Sequence, residues 1–273
     1  MAHKTLIDGV GYSVTGGKTL VDGTGRKITG GNTLIGGSAY IMKFDKYNSI
    51  LVDNSWAQIR DACEKNKVPD TWDVGSLHVT YINDEAYVVE VIGKNHDVYA
   101  DGGIAPLTFQ FRSALSADTS YAMHGTASNS YGWSACNMRT NILPNLLAQL
   151  ETDLADGIKL VRKYTAASGY TSTNVVTNDN LFLPSEAEVF GTYGSNSHAG
   201  EGGWYEYYKV NTTTRAMKKV GPDSTIRPDD AAAWWLRSPT RNVASTYLCV
   251  STEGAVTSVQ ANVMKKISPA FCL

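Results

Sequence analysis

His96 and Asp97 stand side by side after a run of strand-forming residues, Tyr87–Ile92, where a general base and its orienting carboxylate would sit. Neighbouring side chains on an extended segment point to opposite sides, so the two do not make a dyad alone, and His96 is expected to bond nearby backbone. Cys63, Cys136, Cys249 and Cys272 follow neither CxxC nor His/Cys metal spacing and read as buried or partly buried thiols. Nothing local lowers a thiol pKa at Cys136, Cys249 or Cys272, as nucleophilic catalysis requires. Asp153/Asp156 and Asp229-Asp230 lack the alternating oxygen ligands of a calcium loop and read as surface carboxylates. There is no P-loop, GxSxG, HExxH or Rossmann fingerprint. The expectation is a chain with no catalytic residue, no metal and no cofactor.

Two aromatic groups and one arginine have recognition chemistry. Trp204-Tyr205-Glu206-Tyr207-Tyr208 either stacks on a sugar or anchors a partner from a strand edge, or packs in the core. Core packing is the expected outcome, as it is for at least one ring of Trp234-Trp235. Arg237 is expected to make a buried or half-buried fork to a carboxylate or to backbone, organising the turn at Ser238-Pro239.

The elements that must position these groups begin with a repeat. Lys4-Thr5-Leu6-Ile7-Asp8-Gly9 recurs as Lys18-Thr19-Leu20-Val21-Asp22-Gly23 and as Asn32-Thr33-Leu34-Ile35-Gly36-Gly37. Each unit carries two strand-like pieces, such as Thr5–Ile7 and Tyr12–Thr15, separated by glycine turns. Strands this short bury no face alone, so residues 1–44 are expected to pair with other subunits or dock on a larger assembly. A helix is predicted over Ser55–Asn66, capped by Asn54 or Ser55, with Trp56, Ile59 and Cys63 on one stripe and Pro69 beyond its end.

Leu77–Ile82 and Ala86–Ile92 read as a hairpin, and Phe109–Leu115 as another strand. The middle is predicted helical. Tyr131–Asn141 forms one helix, Pro144 starts a second, and an apolar stripe runs through Leu154, Ile158 and Val161. Thr165–Asn180 reads as loop, Leu181-Phe182-Leu183 as a short buried strand, and Ser185 with Glu188 as a capping box over Ala187–Phe190. Tyr193–Gly203 reads as loop. Tyr247–Ser251 and Ala255–Val259 form a hairpin across Thr252-Glu253-Gly254, and Ser268–Leu273 closes the chain as a buried strand.

Composition narrows the function classes. The chain has 273 residues, a hydrophobic fraction of 42% and a charged fraction of 18%, as for one large globular domain or a domain with an appendage. Its 25 Gly and 15 Tyr predict many turns and amphipathic rings at the surface. A net charge of −2 argues against a general nucleic-acid binder, and the Arg215, Lys218, Lys219 cluster reads as a solvated face. No secretory signal pattern and no apolar run of about 18 residues is visible, so folding in a cytoplasm without membrane insertion is expected.

Between Trp234–Pro239 and Ile267–Leu273 the sequence is chemically miscellaneous, a layout that fits rigid anchors around a display surface. From Asp73-Val74-Gly75 to Leu273 the chain also carries an ordered series of landmarks. These are Val91-Ile92-Gly93 with Asn95-His96-Asp97, Gly132-Trp133, Leu181-Phe182-Leu183 with Ser185-Glu186 and Glu188-Val189-Phe190-Gly191, Trp235-Leu236-Arg237-Ser238-Pro239, and Ser268-Pro269-Ala270-Phe271. In these it resembles an uncharacterised domain of Firmicutes surface proteins and their prophages, similar to the C-type-lectin-like fold of formylglycine-generating enzymes and phage tropism determinants. It departs from that domain at Lys266-Ile267-Ser268-Pro269, where Gly-Val-Arg-Pro is commoner.

The resemblance implies an α+β, C-type-lectin-like fold over residues 45–273, with short strands and two to four helices, behind the β-repeat region 1–44. It implies a virion protein, a phage tail-associated receptor-binding protein diversified by a diversity-generating retroelement. Its partners would be a host cell-surface receptor, protein or glycan, and other tail proteins met through the repeats, with a homotrimer favoured over a dimer. The implied display positions are Arg241, Asn242, Val243, Ala244, Thr246, Leu248, Thr257, Ser258, Val259, Gln260, Asn262, Val263, Met264 and Lys265. Two other readings stay open: an oxidase like the formylglycine-generating enzymes, using Cys249 and Cys272 with copper, and a purely structural baseplate component.

Overall fold

The structure, a computed structural model, describes residues 46–115, 121–191, 196–219 and 231–273, together with six short strands before residue 42. Those strands form three antiparallel hairpins, one per repeat unit: β1–β2 (His3–Ile7, Val10–Val14), β3–β4 (Lys18–Val21, Thr24–Lys27) and β5–β6 (Asn32–Ile35, Ser38–Ile41). The side chains of the repeats lie outside the described residues, as do Asp229-Asp230 and residues 192–195.

Helix α1 (Trp56–Glu64) starts where the capping residue predicts. The Ser55 hydroxyl accepts from Gln58 N, and the Gln58 side chain accepts from Ser55 N. It buries Trp56, Ile59 and Cys63 on one stripe and ends before Pro69, with Asn66 in a left-handed conformation. Strands β7 (Leu77–Ile82) and β8 (Glu85–Lys94) are joined by Asn83-Asp84, whose φ values of 49° and 65° are those of a two-residue hairpin turn. Next comes β9 (Leu107–Phe111), shorter at its C-terminal end than predicted.

The predicted long helix over Tyr131–Asn141 is broken. It becomes α2 (Gly132–Ala135) and a wide turn at Met138–Ile142, then α3 (Leu143–Leu147) with Pro144 in its first turn. α4 (Thr152–Ala155) is one turn, and the apolar stripe beyond it is not helical, because Val161 already begins β10 (Val161–Ser168). β10 pairs with β11 (Thr171–Asp179), so the segment read as a Ser/Thr/Asn loop is a hairpin. Its Thr and Val residues suit a pleated surface, and Lys163, Thr165 and Thr177 are buried on one face.

Helix α5 (Glu186–Phe190) has the predicted Ser185/Glu188 capping box and stops at Gly191, φ 68°. Leu181–Leu183 is buried, but only Phe182 makes a bridge, to Ala270. The aromatic run is not a strand. Tyr205 precedes the one-turn helix α6 (Glu206–Lys209), and Tyr205, Tyr207 and Tyr208 are all buried. α7 (Thr212–Ala216) and the two-residue strands β12 (Lys218–Lys219) and β13 (Ala231–Ala232) follow.

The chain ends with β14 (Trp234–Pro239), β15 (Thr246–Val250), β16 (Val256–Gln260) and β17 (Ala270–Cys272). The described residues therefore hold seven α-helical segments, against two to four expected, and only α1 exceeds one and a half turns.

Two antiparallel sheets organise the molecule, with orders β17-β9-β8-β7 and β14-β15-β16. The C-terminal strand is buried as predicted. Phe271 lies opposite Phe109 and stacks on it at 5.4 Å, while Trp56 of α1 meets both rings edge-on. Trp234 and Trp235 are fully buried. This is a mixed α+β chain whose core runs from Tyr47 to Leu273. No helix among the described residues is long and apolar enough to cross a membrane.

Candidate ligand-display surface

The floor of the candidate surface is a buried charge network. Arg237 on β14 is fully buried and forks onto Glu188, Nη1 to Oε2 at 2.5 Å and Nη2 to Oε1 at 3.0 Å. It also donates to Leu183 O, Glu201 O and Thr165 Oγ1. The fork expected from the sequence is present, and its acceptor is the residue that caps α5. Glu188 also accepts from Lys163 Nζ at 3.1 Å, and Lys163 reaches Asp97 Oδ1 at 2.5 Å. Asp97 Oδ2 accepts from Thr108 Oγ1 (2.6 Å) and Tyr205 OH (2.8 Å).

Burial pushes the Asp97 carboxyl up, but the Lys163 charge and the hydrogen bonds from Lys163 and Thr108 carry it down to about 2. Glu188 is likewise opposed by burial and lowered by Arg237 and Lys163. Asp97 is thus a structural hub turned toward Lys163. His96 does not fill the expected role of bonding backbone: its ring packs on Tyr205, with centroids 4.1 Å apart.

Glu201 is the exception in this network. It is fully buried, receives Ala166 N (2.9 Å) and the Ser238 hydroxyl, and has no side-chain cation in hydrogen-bond contact among the described residues. Burial pushes its carboxyl up to about 7 against those two hydrogen bonds and the more distant Arg237 charge.

Above this floor, the loop from Thr240 to Thr246 is held through its main chain. Thr240 N donates to Thr246 O (3.0 Å), Arg241 N to Asn196 O (2.8 Å) and Asn242 N to Gly169 O (2.8 Å). The buried Asn129 donates its amide to Val243 O (2.6 Å) and Thr246 O (2.8 Å), and its backbone N donates to Ala244 O (2.7 Å). Gly169 is required by this closeness, since a Cβ there would stand 2.2 Å from Val243 O and 2.3 Å from Thr240 O. The segment after β16 is fixed in the same way. Lys265 and Tyr121 exchange backbone bonds of 3.1 and 2.8 Å, and His124 N donates to Ala261 O at 3.0 Å. The path of both segments is therefore set by bonds to their main chain.

Of the positions singled out in the sequence, Arg241, Asn242, Ala244, Thr257, Ser258, Gln260, Asn262, Val263 and Met264 are exposed, and Val243, Thr246, Val259 and Lys265 are half-buried. Leu248 is a correction. It is 1% exposed on the central strand β15 and packs in the core, out of a partner's reach. Lys218 is a second correction. Instead of facing solvent it is fully buried, 3.1 Å from Glu90, and burial lowers its pKa against that pairing. Arg215 lies over the Tyr207 ring, and the Lys219 side chain is outside the described residues.

Asp153 and Asp156 are exposed. All four cysteines are free and buried, and burial raises the thiols, Cys249 to about 11 and Cys63 and Cys136 to about 12. Cys249 on β15 and Cys272 on β17 stand in different sheets. No group of three or more His, Cys, Asp or Glu side chains among the described residues is placed to hold a metal. Sequence reasoning missed Lys163, Glu201 and Asn129. Only Lys163 left a trace, as a charge at a buried position of an alternating Val-Arg-Lys-Tyr-Thr run.

Residues 107–273, more than half of the chain, match the profile of a family described as a domain of unknown function (DUF6273). The chain belongs to the DUF6273 family. No curated protein and no solved structure matches it. The DUF6273 match begins at the first residue of β9 and ends with β17, so it contains the charge network except Asp97 and the whole display segment. Helix α1 and hairpin β7–β8 precede the match, yet they complete the four-stranded sheet and cover Phe109 and Phe271.

Proposed function

We propose that this DUF6273 protein is a receptor-binding protein of a phage or prophage tail, with a C-type-lectin-like fold whose C-terminal face meets a host-cell receptor, protein or glycan. The observation that carries the reading is the main-chain anchoring of the display segments. Asn129, Gly169, Tyr121 and His124 hold backbone atoms of residues 240–246 and 261–265, and within those segments the side chains of Arg241, Asn242, Ala244, Asn262, Val263 and Met264 are exposed. A surface built this way accepts substitution without unfolding, as a target of a diversity-generating retroelement must. The three N-terminal hairpins supply a means of trimerisation and of attachment to other tail proteins, and three copies of one face gain avidity.

The test is attachment of the full chain to a panel of Firmicutes cells, comparing wild type with a Thr257→Ala/Val259→Ala/Asn262→Ala variant. Loss of attachment is expected from a variant that still unfolds cooperatively, with the small loss of melting temperature that truncating the half-buried Val259 brings. Attachment equal to wild type refutes the reading.

A further inference from the structure

The two larger sheets have four outer edges, and on three of them another segment of the chain bonds the edge. β7 is met at its Tyr81 end by residues 149–151: Glu151 N donates to Tyr81 O, Asn83 N to Gln149 O, and the Glu151 carboxylate accepts from Tyr81 N. β17 is covered by Lys159, whose N donates to Cys272 O, and by Phe182, which exchanges two backbone bonds with Ala270. β14 is covered by Pro184 and Lys266. Along β16 no described residue outside its own hairpin bonds the edge, save the turn from Val263 N to Gln260 O.

The register fixes which groups are free. Ala261 N donates to Ser245 O and Ser251 N to Ala255 O, so the bonded pairs of the hairpin are Tyr247–Val259 and Cys249–Thr257. The N–H groups of Val256, Ser258 and Gln260, and the carbonyls of Val256 and Ser258, therefore face outward. The strand reads Val-Thr-Ser-Val-Gln. It has none of the lysine, proline or bulge by which exposed edges are normally blunted.

We infer that the outer edge of β16 is a docking strand for an extended segment of a partner polypeptide, which joins the β14-β15-β16 sheet as a fourth strand. This rests on the receptor-binding reading and assigns its partner class. An alternating row of amide donors and carbonyl acceptors is the complement of another extended backbone. Main-chain bonds give an affinity that survives changes of side chain, while Thr257 and Gln260 beside the edge, with Asn262, Val263 and Met264 at its end, select the sequence bound. A second copy of this chain is the poorer occupant. At roughly 30–40 Å² per interface residue, five edge residues supply under about 200 Å² a side, against the roughly 600 Å² or more that each partner of a stable dimer buries.

The experiment pans a display library of linear peptides of about twelve residues on the full chain, then measures selected peptides on wild type, Ser258→Pro and Ser258→Ala. Proline at 258 removes an outward N–H and no bond of the hairpin, so the fold is retained. Peptides that lose affinity by about tenfold or more on S258P and keep it on S258A are expected. Peptide-induced hydrogen-exchange protection at Val256, Ser258 and Gln260 of the wild type is expected as well, and it stands as the readout if S258P melts early. Peptides indifferent to S258P, no selected peptides, or self-association abolished by S258P would each overturn the inference. Cell attachment separates the two levels. Attachment lost in the Thr257/Val259/Asn262 variant but kept in S258P sinks the docking strand alone, and attachment kept in both sinks the receptor-binding reading.

Discussion

Glu201 makes the stability of this protein rise as pH falls from neutral, and the size of the effect follows from its surroundings. Its carboxylate is fully buried beneath the display loop and meets two hydrogen-bond donors, Ala166 N and the Ser238 hydroxyl. The charged groups facing it are Arg237, which favours its anion, and Glu188, which opposes it. The net result is a carboxyl raised from 4.5 to about 7. A group whose folded pKa is raised binds its proton more tightly in the native state. The associated stability is present in full below 4.5 and is lost as pH climbs through about 7.

The rise from 4.5 to about 7 corresponds to roughly 3 kcal/mol between the two limits. Glu201→Gln keeps an acceptor for Ala166 N and a donor toward Ser238 Oγ while removing the titration. Urea unfolding of both proteins at intervals from pH 4.5 to 8.5 measures the difference. The variant should gain about 3 kcal/mol on the wild type across that range, most of it between pH 5 and 7.5. A difference between the two proteins that stays flat with pH would refute the assignment of Glu201 as a buried, proton-holding carboxyl.

Two further outcomes are expected. Asn129→Ala removes three side-chain hydrogen bonds, to Val243 O, Thr246 O and from Gly169 N, and should cost about 2–3 kcal/mol in chemical denaturation with faster hydrogen exchange over 240–246. Asn262→Ala, by contrast, should stay within about 0.5 kcal/mol of wild type. Lys163→Met strands Asp97 and Glu188 without their shared cation and should cost about 3–5 kcal/mol. The double variant Lys163→Met/Asp97→Asn should recover part of that loss in the same unfolding assay, since Asp97 is then uncharged while Glu188 keeps Arg237.

What was legible in the sequence was what neighbours in the chain decide. The Ser55 and Ser185 capping boxes, the Asn83-Asp84 turn and the alternation of β7 are written within a few residues. The buried end of the chain was legible because Phe271-Cys272-Leu273 is too apolar for a tail. The hairpin β10–β11 was not, because Ser, Thr and Asn serve loops and strands alike, and only burial of one face against α2 and β14 decides between them. A buried lysine reads as a surface lysine until its partner is known. Asp97 lies 66 positions from Lys163, and Glu90 lies 128 from Lys218. Asn129 acts on backbone 114 and 117 residues away, and an asparagine that binds main chain selects no particular side chain, so nothing local announces it. Leu248 was misplaced although Tyr247–Ser251 was read as a strand, because nothing in the window showed that β15 is the central strand of its sheet, buried from Tyr247 to Val250.

These distances also explain why the display face and its support meet so abruptly. Arg237 and Ser238 are bound to Glu188 and Glu201, so almost any change there leaves a buried charge without its counterpart. Three residues later, Arg241 N donates to Asn196 O, and the side chain is exposed. Buried ion networks add little net stability compared with an apolar core of the same volume, but they fix one arrangement, because each charge tolerates only its own partners. That property suits the base of a variable surface. The network dictates where β14 ends, Asn129 dictates the path of the loop, and the side chains of Asn242 and Ala244 are left facing solvent.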